Sequence, residues 1–256
     1  MAKPSDSIRV LSVHHYTDRL FKFRVVRPKG FRFESGQFAM IGLEIDDKPI
    51  MRAYSMASPA WDSELEFYSI KVPDGPLTSR LQHITTEDSI LISGRAVGSL
   101  TVRALLPGRR LFMISTGTGI APFASIMRDP ETYERFEEVY LTHTCRQSAE
   151  LSYGEELVTA LKADPLCGEF ADRLVHYTSV TREPYPRTGR ITNLIEDGKL
   201  FTDLGISGFD SEQDRVMICG SMEMNKDMQT ILEDRGFEEG SRRQKGSYVL
   251  ERAFVG

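Results

Sequence analysis

Thr116-Gly117-Thr118-Gly119 joins two stretches of different character. Ahead of it, Leu111 to Ser115 reads as a buried strand. Behind it, Ile120, Ala121, Pro122, Ala124, Ile126 and Met127 read as a helix, with Pro122 in its first turn, where a missing N–H is harmless. Strand, glycine turn and helix start together make an anion site. Glycine lets the backbone approach a phosphate, and unpaired N–H groups at the helix start point at it. Gly117-x-Gly119-x-x-Pro122 lacks the third glycine of the dinucleotide fingerprint. The next strand ends His143-Thr144-Cys145-Arg146, with no acid to hold a ribose hydroxyl. An NAD site of the ordinary kind is therefore disfavoured. A buried strand that merely passes through glycine into a helix competes as a reading of this motif alone.

The elements around the turn extend the same chemistry. From about Leu106 onward, strands are expected at Leu111–Ser115, Val139–His143, Leu174–Ser179, Val216–Cys219 and Tyr248–Glu251. Helices are expected near Ile120–Arg128, Glu150–Lys162, Ile191–Glu196 and Met222–Arg235, the last bracketed by Ser221 as N-cap and Gly236 as C-terminal stop. Such alternation predicts a parallel sheet covered on both faces, with ligands beyond the carboxyl ends of its strands. Those ends carry Thr116 to Pro122, then Thr144-Cys145-Arg146, then Thr181-Arg182 with Arg187 and Arg190, and finally Cys219-Gly220-Ser221-Met222. Several arginines without a ribose-binding acid form a lip suited to the 2′-phosphate that separates NADP from NAD. Any one of these arginines taken singly reads equally as a solvated loop residue.

The first half reads as short strands: Ile8–Val13, Leu20–Val26, Gln37–Ile45, Leu65–Val72, Ile90–Ser93 and Ser99–Val102. Phe21, Phe23 and Val25 alternate with Lys22 and Arg24, the period of a half-buried strand. Leu65, Phe67, Ser69 and Lys71 fall on one face of their strand, and Glu66, Tyr68, Ile70 and Val72 on the other. A small antiparallel barrel is expected, interrupted by one helix from about Leu77 to His83. Two stretches exceed what a barrel requires. Arg52-Ala53-Tyr54-Ser55, as a strand, projects Arg52 and Tyr54 to one side. Pro73-Asp74-Gly75-Pro76-Leu77-Thr78-Ser79 is a tight turn opening a helix, again anion-ready.

Totals narrow the classes. With 256 residues, one or two domains are expected. The net charge of −5 does not advertise nucleic-acid binding. No apolar run approaches the roughly 18 residues of a membrane span, and no secretory leader is visible. Cys145, Cys167 and Cys219 are scattered and odd in number, which suits a reduced cytoplasm and fits no iron–sulfur spacing. The five histidines, His14, His15, His83, His143 and His176, have no metal-ligand spacing, so no metal site is expected.

Arg-x-Tyr-Ser, then Gly-x-Leu-Thr, then Gly-Thr-Gly-Ile-Ala-Pro, in this order, resemble the ferredoxin–NADP⁺ reductase superfamily. The compact length and the ending Glu251-Arg252-Ala253-Phe254-Val255-Gly256 resemble its bacterial ferredoxin/flavodoxin branch. The resemblance spans nearly the whole chain. It implies a Greek-key antiparallel β-barrel for FAD over residues 1–105, and an α/β Rossmann-like NADP(H) domain over 106–256 whose tail, 252–256, returns to the flavin. It implies non-covalent FAD held by Arg52 on the pyrophosphate, Ala53, Tyr54 stacked on the isoalloxazine, and Ser55 near its reactive edge. The strand residues Phe67, Ser69, Ile70, Lys71 and Val72 would line the flavin; Gly75, Leu77 and Thr78 would meet its phosphate. Thr116 would lie where the two nucleotide sites meet, and Ala253 and Phe254 would complete the FAD site. NADP would be held by Thr116, Gly117, Gly119, Arg146, Thr181, Arg182, Arg190, Gly220, Ser221 and Met222. Ser55, Cys219 and Glu251 would be catalytic, Cys219 as a positioning group and Glu251 in proton supply. The implied activity is hydride transfer from NADPH to FAD, then single electrons to ferredoxin or flavodoxin, in a cytoplasmic monomer. Arg80, Arg95, Arg103, Arg242, Arg243 and Lys245 are candidates for a partner-docking rim. A reductase component of an oxygenase, another diaphorase, or a flavin- or NADP-sensing subunit without turnover are the alternative readings.

Overall fold

The computed structural model describes residues 6–252. Six antiparallel strands come first: β1 (Asp6–His15), β2 (Leu20–Val26), β3 (Phe38–Ile45), β4 (Lys48–Ser55), β5 (Glu64–Ile70) and β6 (Ser89–Ile92), in the order β4-β3-β6-β1-β2-β5. Five parallel strands follow: β7 (Arg110–Thr116), β8 (Glu138–Cys145), β9 (Leu174–Val180), β10 (Asp214–Gly220) and β11 (Tyr248–Arg252), in the order β11-β10-β7-β8-β9. Among the described residues seven α-helices connect them: α1 (Thr78–Leu81), α2 (Ala121–Ile126), α3 (Pro130–Arg135), α4 (Ser152–Leu161), α5 (Ile191–Glu196), α6 (Lys199–Leu204) and α7 (Met222–Glu233).

The period-2 pattern of β2 works as expected. Phe21, Phe23 and Val25 enter the barrel core with Leu65 and Phe67. β5 differs from a half-buried strand, because both of its faces are covered. Leu65 and Phe67 point into the barrel, while Glu66 and Tyr68 are equally buried on the far side. There Tyr68 joins the core beneath one face of the parallel sheet, together with Leu20, Ala57 and Leu100 from the first half of the chain. Hydrophobic packing is thus continuous from barrel to parallel sheet. The other face of that sheet has its own core under α5, α6 and α7.

Four elements correct the sequence reading, one of them α6, which follows α5 after Gly198 and lies outside the expected helices. Ser99–Val102 is not a strand; a 3-10 turn over Val102–Ala104 takes its place. β4 starts at Lys48 because Asp46 and Asp47 both adopt positive φ, 51° and 58°, giving a two-residue hairpin without the usual glycine. α3 was not foreseen, although Asp129 caps it through the Glu131 N–H and Pro130 opens it. α7 follows expectation: the Ser221 hydroxyl accepts from Met224 N, and Gly236, at φ 81°, ends the helix as Phe237 N bonds back to Leu232 O.

Candidate functional site

β4 and β5 are the two outer strands of the antiparallel sheet, and no backbone ladder joins them. Their side chains meet instead, Tyr54 Oη lying 3.0 Å from Ser69 Oγ. Along this open seam runs a groove. Arg52, Ala53, Tyr54 and Ser55 line one wall; Tyr68, Ser69, Ile70 and Val72 line the other; Gly75, Pro76, Leu77 and Thr78 close one end. Thr118, Ala121 and Cys219 reach it from the parallel sheet.

The seam faces the point where that sheet changes direction. From β7 the chain steps to β8 and β9, then crosses to β10 on the other side, so the crevice lies between the ends of β7 and β10. The two ends approach closely, and glycine permits it. A Cβ on Gly119 would lie 2.1 Å from Cys219 O. One on Gly220 would lie 2.3 Å from Thr116 Oγ1, which itself accepts from Ser221 N. Gly117 is different: its φ is 53°, and the space beside it is open.

Polar groups in the groove are short of partners. The guanidinium of Arg52 gives one N–H to Met51 O, 2.9 Å away. The N–H groups of Leu77 and Thr78 carry no hydrogen bond among the described residues. α1 is a single turn, so what it offers an anion is these N–H groups rather than a long helix dipole. Tyr68 Oη is buried without a partner. Burial pushes the phenol of Tyr54 above its ordinary value, against the pull of Ser69 and Arg52. A cation, free N–H groups, a stranded hydroxyl and aromatic walls fit a flavin nucleotide.

Glu251 lies opposite Cys219 in register, on the neighbouring strand. It is buried, its Oε2 has no partner, and burial raises its carboxyl to about 8 despite the opposing pull of Arg242. Cys219 is buried too; desolvation first, and then Glu251, push its thiol well up, so it is no nucleophile. Thr116 and Glu251 stand near the groove but do not line it. The side chain of Phe67 is fully buried in the barrel core, and Lys71 turns its ammonium to Thr17 O, 3.1 Å away. Ala253 and Phe254 lie outside the described residues.

At the ends of β8 and β9, Arg182 N bonds to Arg146 O at 2.9 Å and Thr181 N to Cys145 O at 3.0 Å. Arg146 and Arg182 are therefore neighbours, both exposed, and neither side chain has a partner among the described residues. Arg190 does have one: its Nη1 lies 2.9 Å from Glu223 Oε1. Arg187, left out of the expected site, pairs with Asp203 and covers the Tyr177 ring. Met222, 67% exposed, stands beside Gly220 and Ser221. Among the described residues no three His, Cys, Asp or Glu side chains gather to hold a metal ion.

Sequence reasoning missed Tyr68, Pro76, Thr118 and Ala121 in the groove. Thr118 and Ala121 belong to the glycine turn and were within reach. Tyr68 was hidden by the apparent two-faced alternation of β5. It stacks on Tyr153, with ring centroids 4.2 Å apart, and Tyr153 Oη donates to the buried carboxylate of Glu66 at 2.8 Å. Arg128 holds the same carboxylate at 3.3 Å and also donates to Ala57 O. This network locks the groove wall to α4 and to the residues after α2.

Two family models match the chain: an oxidoreductase FAD-binding domain over residues 10–100 and an oxidoreductase NAD-binding domain over 113–230. A flavodoxin/ferredoxin–NADP reductase of Rhodobacter capsulatus is 56% identical, over 98% of this chain and 94% of its own. The Escherichia coli protein of the same name is 35% identical, over 86% of this chain and 87% of its own. A crystal structure of a ferredoxin NADP⁺ reductase from Neisseria gonorrhoeae, with bound FAD and NADP, superposes with a TM-score of 0.89 at 30% identity, covering 98% of this chain and all of the other.

Proposed function

The chain belongs to the flavodoxin/ferredoxin–NADP reductase family, and on that premise we propose that it draws hydride from NADPH and passes single electrons to a ferredoxin or flavodoxin. When bound, FAD supplies the chemistry that accepts a hydride and releases electrons one at a time. The chain's own contribution is placement and exclusion of water.

One observation carries the reading. Tyr54 and Ser55 from the barrel, and Thr118 and Cys219 from the parallel sheet, line a single groove. A hydride donor held at the sheet ends would therefore meet a flavin held in the seam. Arg52 and the N–H groups of Leu77 and Thr78 hold the pyrophosphate of FAD. Tyr54 packs on the flavin ring, and its bond to Ser69 fixes its tilt. The hydroxyl of Ser55 has no other partner among the described residues and is available to the reactive edge. Thr116, Gly117 and Gly119, with Gly220, Ser221 and Met222, admit the dinucleotide of NADPH at the crevice. Thr181, Arg182 and Arg146 bind its 2′-phosphate, and Arg190 joins them by exchanging Glu223 for the ligand. Cys219 positions the nicotinamide as a neutral thiol. Glu251, protonated near neutrality, is a proton reservoir behind it.

The division into a barrel domain ending near residue 105 and an α/β domain beginning near 106 belongs to this reading, as do a monomeric state and a cytoplasmic setting. No helix among the described residues is long and apolar enough to cross a membrane. For the protein partner, Arg80, Arg95, Arg243 and Lys245 are exposed and free of ion pairs among the described residues. Arg103 is held by Glu131 and Arg242 by Gly98 O, so they contribute less to the rim. Anaerobic titration of the flavin absorbance tests the reading. Bleaching is expected at low NADPH and only at far higher NADH; a protein that holds no flavin when supplied with FAD overturns it.

A further inference from the structure

Metal-ligand spacing found no use for His143, yet this side chain is fully buried on β8, directly beneath the glycine turn. Its Nε2 lies 3.0 Å from Gly117 O and 3.2 Å from the thiol of Cys145. A carbonyl can only accept, so Nε2 carries the proton. The thiol of Cys145 in turn donates to Glu150 O. The bare Nδ1 has no partner; it faces α4 at Gly154, where a Cβ would lie 3.0 Å from it. The ring of His176 lies nearly parallel to that of His143, with centroids 6.4 Å apart. Burial, reinforced by His176, lowers His143 to about 3, so the ring stays neutral and the donor stays in place at any ordinary pH.

Gly117 needs such a tie. Its φ of 53° is open to glycine, but glycine also adopts the opposite hand at similar energy. Beyond its chain neighbours, no atom lies within 4 Å of the place where its Cβ would be, so no packed side chain holds this conformer. In one planar trans peptide the C=O and the N–H point in opposite directions. A carbonyl of Gly117 anchored on His143 therefore turns the N–H of Thr118 the other way, away from β8, and Thr118 is the residue of this turn that lines the groove.

We propose that His143 is a positioning residue for the nicotinamide nucleotide: its Nε2–H fixes the Gly117–Thr118 peptide in the one orientation that receives NADP(H). The inference rests on the reading that this turn holds the dinucleotide. It names a residue that reaches neither flavin nor NADP, and that acts only through the backbone.

Calorimetry on the FAD-loaded protein tests it with two probes, NADP⁺ and adenosine 2′-monophosphate, which has the 2′-phosphate for Arg146 and Arg182 but nothing to reach the turn. His143→Leu should weaken NADP⁺ about tenfold, the equivalent of one lost hydrogen bond, and leave the adenosine probe within about twofold. His143→Gln places an amide N–H where Nε2–H was and should restore most of the affinity. Should the leucine variant not fold, His143→Asn, too short to reach Gly117 O, should show the same selective loss. Unchanged NADP⁺ affinity in the leucine or asparagine variant overturns the inference. Equal weakening of both probes also overturns it, because His143 would then support the fold of the lip. If the unaltered protein binds adenosine 2′-monophosphate but not NADP⁺, the turn itself has been misread and the inference falls with that reading.

Discussion

Replacing Glu251 by Gln should make the protein more resistant to rising pH. In the fold the carboxyl is buried beside Cys219 and holds its proton to about pH 8, whereas in the unfolded chain it ionises near 4.5. Between those values the unfolded state binds fewer protons than the native one, so stability falls as pH rises. The contribution is fully present below about pH 4.5 and is lost as pH passes 8. Each pH unit across the window is worth about 1.4 kcal/mol, so the whole interval amounts to about 5 kcal/mol. Gln keeps the shape and carries no proton to lose. Every other titrating group is common to both proteins and cancels in the difference. A chain of this size shifts its Tm by about 2–4 °C per kcal/mol, so the variant should gain about 10 °C on the parent between pH 5 and pH 9. Thermal melts of both proteins, FAD-loaded, across that range decide it. A Tm difference that stays flat with pH refutes the buried, protonated carboxyl and its part in proton supply with it.

Three other expectations concern the remaining charges. Arg182→Ala should raise the Kd for NADP⁺ by about 10- to 100-fold, the worth of a charge-assisted hydrogen bond to phosphate, and leave NADH affinity unmoved; calorimetry with both nucleotides reads it. Glu223→Gln releases Arg190 from an ion pair that is 61% and 68% exposed, and so weak; NADP⁺ should bind about two- to fivefold tighter, and a weaker affinity would mean that the pair itself shapes the lip. Arg128→Met strands the buried carboxylate of Glu66 with Tyr153 as its remaining side-chain partner, at a cost of about 3–5 kcal/mol in urea unfolding. A loss below about 1 kcal/mol would remove Arg128 from the joint between barrel and sheet.

Much of this architecture was legible in the chain because its signals are local. The limits of β2 follow from periodicity, and the start and stop of α7 from Ser221 and Gly236. What was not legible depends on contacts between distant segments. The alternation along β5 separates two faces without showing that both are covered, and only packing against Tyr153, 85 residues on, makes Tyr68 a buried wall of the groove. Arg190 looked equivalent to Arg182 until Glu223, from another helix, was seen to occupy it. His143 had no ligand spacing to mark it, because its partner is a backbone carbonyl on the adjacent strand's turn. Gly119 was read as a phosphate glycine. Its closest constraint is the carbonyl of Cys219, which sequence spacing does not show.

The unjoined strands of the barrel also bear on how the protein is made. β4 and β5 each end the sheet without a neighbouring strand on the outer side, although Ala57 N, just past β4, bonds to Glu66 O of β5. Until they are covered, strand edges without a partner invite other chains to add on. A ligand wedged between the two edges hides both at once. Supply of flavin during synthesis would then govern yield as well as activity. Cells starved of riboflavin should accumulate this chain as insoluble, strand-paired aggregate, and restoring the vitamin should rescue only molecules made afterwards.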